Sequence, residues 1–371
     1  MNSKVLLATA SRAVSISTRN IFTKEYLGLS FLTKKQNESR VNAGKNIVKI
    51  KEKIMASYEW EGIEGIRRQE ILNFMSLVED DKDMANLTRV VKDYLAHADP
   101  KHKTKLISGC LQTCYLRKDL KYSRLLSEGA FFETFDHSPL AVQAHFQLLY
   151  DHGLYQEIVD KYKKLTKVKN VSYMAIVMAS LCRIGTPEVY KQAREFLADE
   201  FLIPKEVDSG RQFELFAWFS IQMGHFDAAI ETLKRKKHKS VKATSKIRKN
   251  LILFALVKNG QVEDCLSEMA NELRSYKEIG FIPVYSPELL GEIAKAVKHD
   301  EKLKEMYKEL PNDLEEKGKM DIATIEELLF HPIDASPYSI SKEKAFNNPH
   351  FYVDRKFTKS KSKDFPHFKY L

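Results

Sequence analysis

Val171-Ser172-Tyr173-Met174-Ala175-Ile176-Val177-Met178-Ala179-Ser180-Leu181-Cys182-Arg183-Ile184-Gly185 is a dense apolar stretch that ends on a glycine. Thr186-Pro187 follows, and an amphipathic stretch begins. The same shape recurs at His152-Gly153-Leu154-Tyr155, Met223-Gly224-His225-Phe226 and Asn259-Gly260-Gln261-Val262. Two further turns lack the glycine, Asp81-Lys82-Asp83-Met84 and Arg117-Lys118-Asp119-Leu120. The turn residues 82, 118, 153, 185, 224 and 260 lie 32 to 39 residues apart. A fixed period of this size is the mark of a repeat architecture.

The physical unit is a helical hairpin. Its first helix is apolar almost all round, as in Phe213, Leu215, Phe216, Trp218, Phe219 and Ile221, or Leu251–Val257. Its second helix carries a narrower stripe, such as Ile158, Val159, Tyr162 and Leu165. Glycine accepts the left-handed backbone that ends a helix. Helices this short are marginal alone, so neighbouring hairpins must cover each other's apolar faces. Sustained two-residue alternation is missing, which excludes a sheet-based fold. The expected class is all-α: a right-handed α-solenoid of about six helix-turn-helix repeats over 67–285.

The flanks read differently. Residues 1–24 contain Lys4, Arg12, Arg19 and Lys24, several serines and no acid. That is the composition of a mitochondrial transit peptide, assigned to 1–35, with cleavage expected between Ile21 and Gln36. Residues 36–66 read as a linker. Ser286-Pro287 is an N-cap followed by a first-turn proline, and it opens a C-terminal helical cap over 286–334. Helices are expected there to about Lys298, from Glu301 to Leu310, and from Ile322 to Phe330 behind Asp321. The tail, 335–371, mixes lysines such as Lys356, Lys359, Lys361 and Lys363 with Phe351, Tyr352, Phe357, Phe365, Phe368 and Tyr370, and is expected to be disordered when free.

Charge narrows the function. The chain has 60 Lys and Arg against 50 Asp and Glu, a formal net charge of +10. Residues 1–57 carry +8 of this and residues 342–371 carry +5, so the body is slightly acidic at −3. Within that body, Thr232 to Val262 contains no acid. It holds Lys234, Arg235, Lys236, Lys237, Lys239, Lys242, Lys246, Arg248, Lys249 and Lys258. A concentrated block of this kind is a candidate phosphate-binding surface. Lys161, Lys163, Lys164, Lys167 and Lys169 form a second, smaller patch.

Residues 171–185 resemble the opening of a pentatricopeptide repeat, with Val-Ser-Tyr, an apolar run, Leu-Cys-Arg and then glycine. Leu202-Ile203-Pro204 is similar to that motif's close. Glu288–Lys295, Leu303–Tyr307, Met320–Leu329 and His331-Pro332 resemble animal mitochondrial members of the family, and the likeness spans roughly 67–334. The resemblance implies a matrix protein that binds single-stranded mitochondrial RNA and assists its maturation, with RNA-processing enzymes or the mitochondrial ribosome as further partners. Such repeats read bases from the first helix. Alignment on the turn residue gives Ser108, Gln143, Met174, Glu214 and Asn250 as base-facing positions. Ser108, Gln143 and Asn250 are the polar types suited to a base edge. A protein-binding scaffold, including a ribosome-associated component, is the alternative.

Other chemistry finds little footing. Cys110 and Cys114 lie one turn apart but lack partners at zinc spacing, and read as buried small hydrophobes. His97, His102, His145 and His152 match no metal motif. Glu79, Asp80, Asp81 and Asp83 lie together at a turn between helices, where a solvated loop or a helix N-terminus explains them. Only 14 glycines and no phosphate-cradling loop argue against a nucleotide enzyme. Neither a cofactor, a small-molecule substrate nor a membrane span is expected, since the longest clean apolar run is Leu251–Val257.

Overall fold

The computed structural model describes residues 21–166, 171–201, 211–235, 246–279, 284–308, 310, 314, 319–320 and 323–330. The chain divides into two units, 1–334 and 335–371. The second unit and the basic aromatic tail assigned to it lie outside the described residues, as do residues 1–20.

The described chain is all-α. Its helices are α1 (Leu29–Ala43), α2 (Ile47–Glu61), α3 (Arg68–Ser76), α4 (Asp81–His97), α5 (Pro100–Arg117), α6 (Leu120–Leu126), α7 (Phe132–Asp136), α8 (Pro139–Asp151) and α9 (Tyr155–Lys164). They continue as α10 (Val171–Ile184), α11 (Pro187–Phe201), α12 (Arg211–Gln222), α13 (Phe226–Arg235), α14 (Lys246–Lys258), α15 (Val262–Ile279), α16 (Pro287–Val297), α17 (Glu301–Lys308) and α18 (Ile325–Leu329). The one departure is a two-residue parallel pairing, Val284 with Lys319 and Tyr285 with Met320.

The helices pair as hairpins, α3 with α4, α5 with α6, and α8 with α9 through α16 with α17. The first helices also pack in series, α3 on α5, α5 on α8, α8 on α10, α10 on α12, α12 on α14 and α14 on α16. The turn residues explain how each hairpin closes. Lys118, Gly153, Gly185, Gly224 and Gly260 all take a left-handed backbone, with φ between 55° and 78°. In four of them, two backbone bonds close the helix end. At Gly153, for example, Leu154 N donates to Leu149 O at 3.0 Å and Gly153 N to Tyr150 O at 3.0 Å. This doublet satisfies carbonyls that the helix would leave open. Gly185 uses a single bond, Gly185 N to Leu181 O at 3.0 Å, and Pro187 starts the next helix two residues on.

Lys82 is a correction, because it lies inside the first turn of α4 rather than between helices. The break falls at residues 77–80. Asp80 caps α4 by accepting from Asp83 N at 2.8 Å, and Asp83 accepts from Glu79 N at 2.9 Å. The acidic cluster is thus a helix N-terminus, the second of the two readings its sequence allowed.

Small residues sit where second helices cross first ones: Ser123, Ala229 and Cys265 are fully buried. Cys110 and Cys114 are buried too, and burial raises the Cys110 thiol to about 12, so it stays protonated. The cap helices fall close to expectation. Ser286 accepts from Leu289 N at 3.2 Å. The last helix starts later than Ile322, because Thr324 accepts from Glu327 N at 3.0 Å and Glu327 returns the bond to Thr324 N.

The linker assigned to 36–66 is instead α1 and α2. Few apolar residues mark them, yet Leu29 and Leu32 of α1 and Ile54 of α2 are buried. Arg40 donates to Val78 O at 3.1 Å, and Lys51 pairs with Asp83 at 2.6 Å and Glu79 at 3.0 Å. Residues 21–35, assigned from sequence to a transit peptide, contribute to the packed core. Ile21, Phe22, Leu27 and Leu29 are core residues. Phe22 N donates to Gln147 Oε1 at 3.0 Å, and Gln112 Nε2 donates to Leu27 O at 2.6 Å.

One buried group couples the fold to pH. His145 is fully buried between Ser123 Oγ at 2.7 Å and Ser127 Oγ at 3.2 Å. Burial, then the charges of Lys161 and Arg124, hold its pKa well below the usual histidine value. The folded state therefore keeps His145 neutral while the unfolded chain takes up a proton near pH 6.5. Stability should fall as pH drops below that value, by up to about 1.4 kcal/mol per unit from this group. Thermal melts from pH 7.5 to 5.5 should show a steeper acid loss for the native chain than for His145→Gln. Parallel curves would contradict this.

Candidate functional site

The positions aligned as base-facing are not open to a ligand. Ser108, Gln143, Met174, Glu214 and Asn250 are all buried, none more than 7 % exposed. Two of them, Ser108 and Asn250, share a task. Ser108 Oγ lies 2.5 Å from Ser138 Oγ and donates to Thr104 O at 2.7 Å, and Ser138 is the N-cap of the next first helix, α8. Asn250 Nδ2 donates to Val284 O at 2.8 Å, and its Oδ1 accepts from Ser286 N at 2.7 Å. Ser286 is again the N-cap of the next first helix, α16. Ser108 and Asn250 therefore each fix the start of the following hairpin. Glu214 lies 3.8 Å from Arg211 and draws on Arg248 of α14.

Asn250 makes a sharp test, because its two bonds satisfy buried backbone groups. Asn250→Ala should cost about 2–3 kcal/mol by leaving the Ser286 amide and Val284 carbonyl without that partner. Urea unfolding would measure it. A base-reading role predicts lost RNA affinity at unchanged stability, the opposite result.

The basic block divides into two kinds of residue. In α14, Arg248 is only 8 % exposed, and burial lowers its pKa while Glu214 opposes the shift. Lys249 is ion-paired with Glu272 of α15. Lys258 pairs with Glu292 of α16 at 2.6 Å. These cations lack acids in sequence and acquire them across helices. Lys234 at the end of α13 is about half exposed and approaches Glu268 at 3.5 Å. Lys236, Lys237, Lys239 and Lys242 lie outside the described residues, as do the side chains of Arg235 and Lys246.

The smaller patch also thins. Lys161 points inward, to Ser127 Oγ at 3.0 Å and Glu128 at 2.6 Å. Lys163 lies 3.9 Å from Asp160, Lys164 is exposed, and Lys167 and Lys169 lie outside the described residues.

Two arginines escaped the sequence reading. Arg211 of α12 is largely buried and donates to Leu328 O at 2.8 Å and Leu329 O at 2.9 Å, the open carbonyls at the end of α18. Arg183 of α10 pairs with Glu326 at 2.7 Å and lies 3.9 Å over the Phe330 ring. Residues 323–330 are thereby tied to the first helices α10 and α12, and α18 also packs on α14. No local signal marks this, since the partners are 117 to 143 residues apart.

Among the described residues no group of three or more His, Cys, Asp and Glu could hold a metal ion, and no helix is long and apolar enough to cross a membrane. No family model, curated protein or solved structure matches the chain.

Proposed function

We propose that the chain is a mitochondrial RNA-binding protein of pentatricopeptide type, a right-handed α-solenoid that assists RNA maturation or stability in the matrix. The observation that carries the reading is the basic run in the sequence that closes α13 and continues toward α14. Residues 234–242 hold Lys234, Arg235, Lys236, Lys237, Lys239 and Lys242 with no acid. Lys234 approaches Glu268 of α15 at 3.5 Å, and Lys249 and Lys258 are ion-paired across helices with Glu272 and Glu292. Supporting it is the regular recurrence of a left-handed turn residue between paired helices. The mode is backbone attraction with little base readout, because the turn-aligned side chains are engaged within the fold. Crosslinking and immunoprecipitation from mitochondria tests the reading. Enriched transcript peaks are expected, and an absence of RNA or a predominance of ribosomal RNA would overturn it.

The mitochondrial address belongs to the same proposal. Processing has to spare the buried segment that starts at Ile21, so a mature N-terminus at or before that residue is expected. Mass spectrometry of the imported chain would show it.

A helical scaffold for proteins, including a ribosome-associated component, is the second reading. It is favoured by the docking of α18 on α10, α12 and α14, which already covers part of the first-helix face.

A further inference from the structure

Helix α2 presents an outward face that nothing in the described fold covers. Lys45, just before it, and Val48, Lys49, Glu52, Lys53, Ala56, Glu59 and Trp60 are all exposed. At 100° per residue they fall on one side of the helix. The opposite side carries Ile54, Ile50, Met55 and Tyr58 into the core, and Lys51 to its ion pairs. Trp60 is 88 % exposed and Val48 is 61 % exposed. Trp60 and Val48, with Val41 just before the hairpin turn, are three of the five large hydrophobics exposed among the described residues. A solvated tryptophan on a regular helix face marks an interaction surface.

The charge order says what fits. Positive charge predominates at the start of the face, on Lys45, Lys49 and Lys53 with Glu52 among them. Negative charge follows on Glu59, with Glu61 and Glu64 beyond Trp60. Lys45, Lys49 and Lys53 have no acid within ion-pair distance among the described residues, and Glu59 reaches only the exposed Arg89 at 3.4 Å. A polyanion would meet the carboxylates around Trp60, and so would an anionic lipid surface. An antiparallel copy of the same helix meets opposite charge at both ends.

We infer that α2 is a self-association surface, forming a two-fold dimer by antiparallel packing on α2 of a second copy. With the axis beside Glu52 and Ala56, Trp60 lies over Val48 of the second copy and Glu59 beside its Lys49. Ala56 at the crossing lets the backbones approach. Antiparallel helix dipoles add to the attraction. A two-fold interface of this kind is self-complementary by construction. One helix pair buries less than the ~1,200 Å² of a stable complex, so the dimer is weak and concentration-dependent. This inference stands apart from the RNA reading.

Sedimentation velocity of the full chain over a concentration series is the test. The expected result is a rise from monomer to dimer, with Trp60→Ala raising the dissociation constant at least tenfold. Lys49→Glu or Glu59→Lys alone should do likewise, and the two together should restore wild-type association by inverting the pair in both copies. Circular dichroism should be unchanged, because all three side chains are exposed. A monomer at every concentration would overturn the inference, as would association indifferent to Trp60 or a double variant that fails to recover. Quenching of Trp60 by RNA or anionic vesicles with the chain monomeric would also overturn it.

Discussion

Phe22→Ala lowers the unfolding free energy by about 3–5 kcal/mol, the range for truncating a buried aromatic side chain. Phe22 is fully buried, and its ring stacks on Tyr26 with centroids 4.7 Å apart and planes 6° from parallel. Its amide bonds to Gln147 in α8, 125 residues away. Removing residues 1–35 goes further. It deletes Ile21, Phe22, Leu27, Leu29 and Leu32 from the core and leaves the Gln112 and Gln147 carboxamides without Leu27 O and Phe22 N. A buried amide without its partner costs about 1–3 kcal/mol beyond the lost burial. Thermal unfolding of the two variants measures both effects. Melting temperatures equal to wild type would show that the segment is dispensable and would return the boundary to residue 35.

Replacing Lys234, Arg235, Lys236, Lys237 and Lys239 by Glu reduces affinity for single-stranded RNA by about a thousandfold or more at moderate salt. About six phosphate contacts give a slope of log affinity against log salt near −4, and five lost contacts remove about 3.5 of it. Of the five, Lys234 is about half exposed and approaches Glu268 at 3.5 Å, and the side chains of the other four lie outside the described residues. Arg248, Lys249 and Lys258 are engaged with Glu214, Glu272 and Glu292, so reversing them would confuse stability with binding. Filter binding between 50 and 300 mM salt, with circular dichroism as the folding control, reads the result. Unchanged affinity and slope would remove this basic run as an RNA surface and leave the scaffold reading.

The hairpins were legible because their signals are local. A glycine that must take a left-handed backbone, an apolar run before it and an amphipathic run after it all lie within one unit. Lys118 shows how far the pattern carries, since it takes φ 55° without being glycine. Lys82 shows its limit. The Asp-Lys-Asp sequence matched a turn by spacing, but Asp80 is the better cap and moves the helix start. Helices α1 and α2 were missed because polar residues dominate both, and tertiary packing stabilises them. Gln112 and Gln147 were the available clue, as amides inside apolar helices that require partners somewhere in the chain.

The base-facing readings were wrong for a related reason. Ser108 and Asn250 are polar residues at a repeated position on the first helices, and a sequence cannot say whether such a side chain faces a ligand or the next hairpin. The structure gives the latter, through Ser138 and Ser286. The block from Thr232 to Val262 is uncompensated along the chain, yet charges interact through space, and α15 and α16 bring Glu272 and Glu292 to it.

The sequence by itself determined the helical class, the hairpin unit and the places where hairpins turn, because those follow from backbone conformation and periodicity over a few residues. Tertiary structure alone decided that the chain from Ile21 belongs to the core, that Ser108 and Asn250 join successive hairpins, and that Arg183 and Arg211 hold α18. It also left one face of α2 uncovered. Each of these depends on which surfaces meet across 30 to 143 residues, and no local rule contains that information.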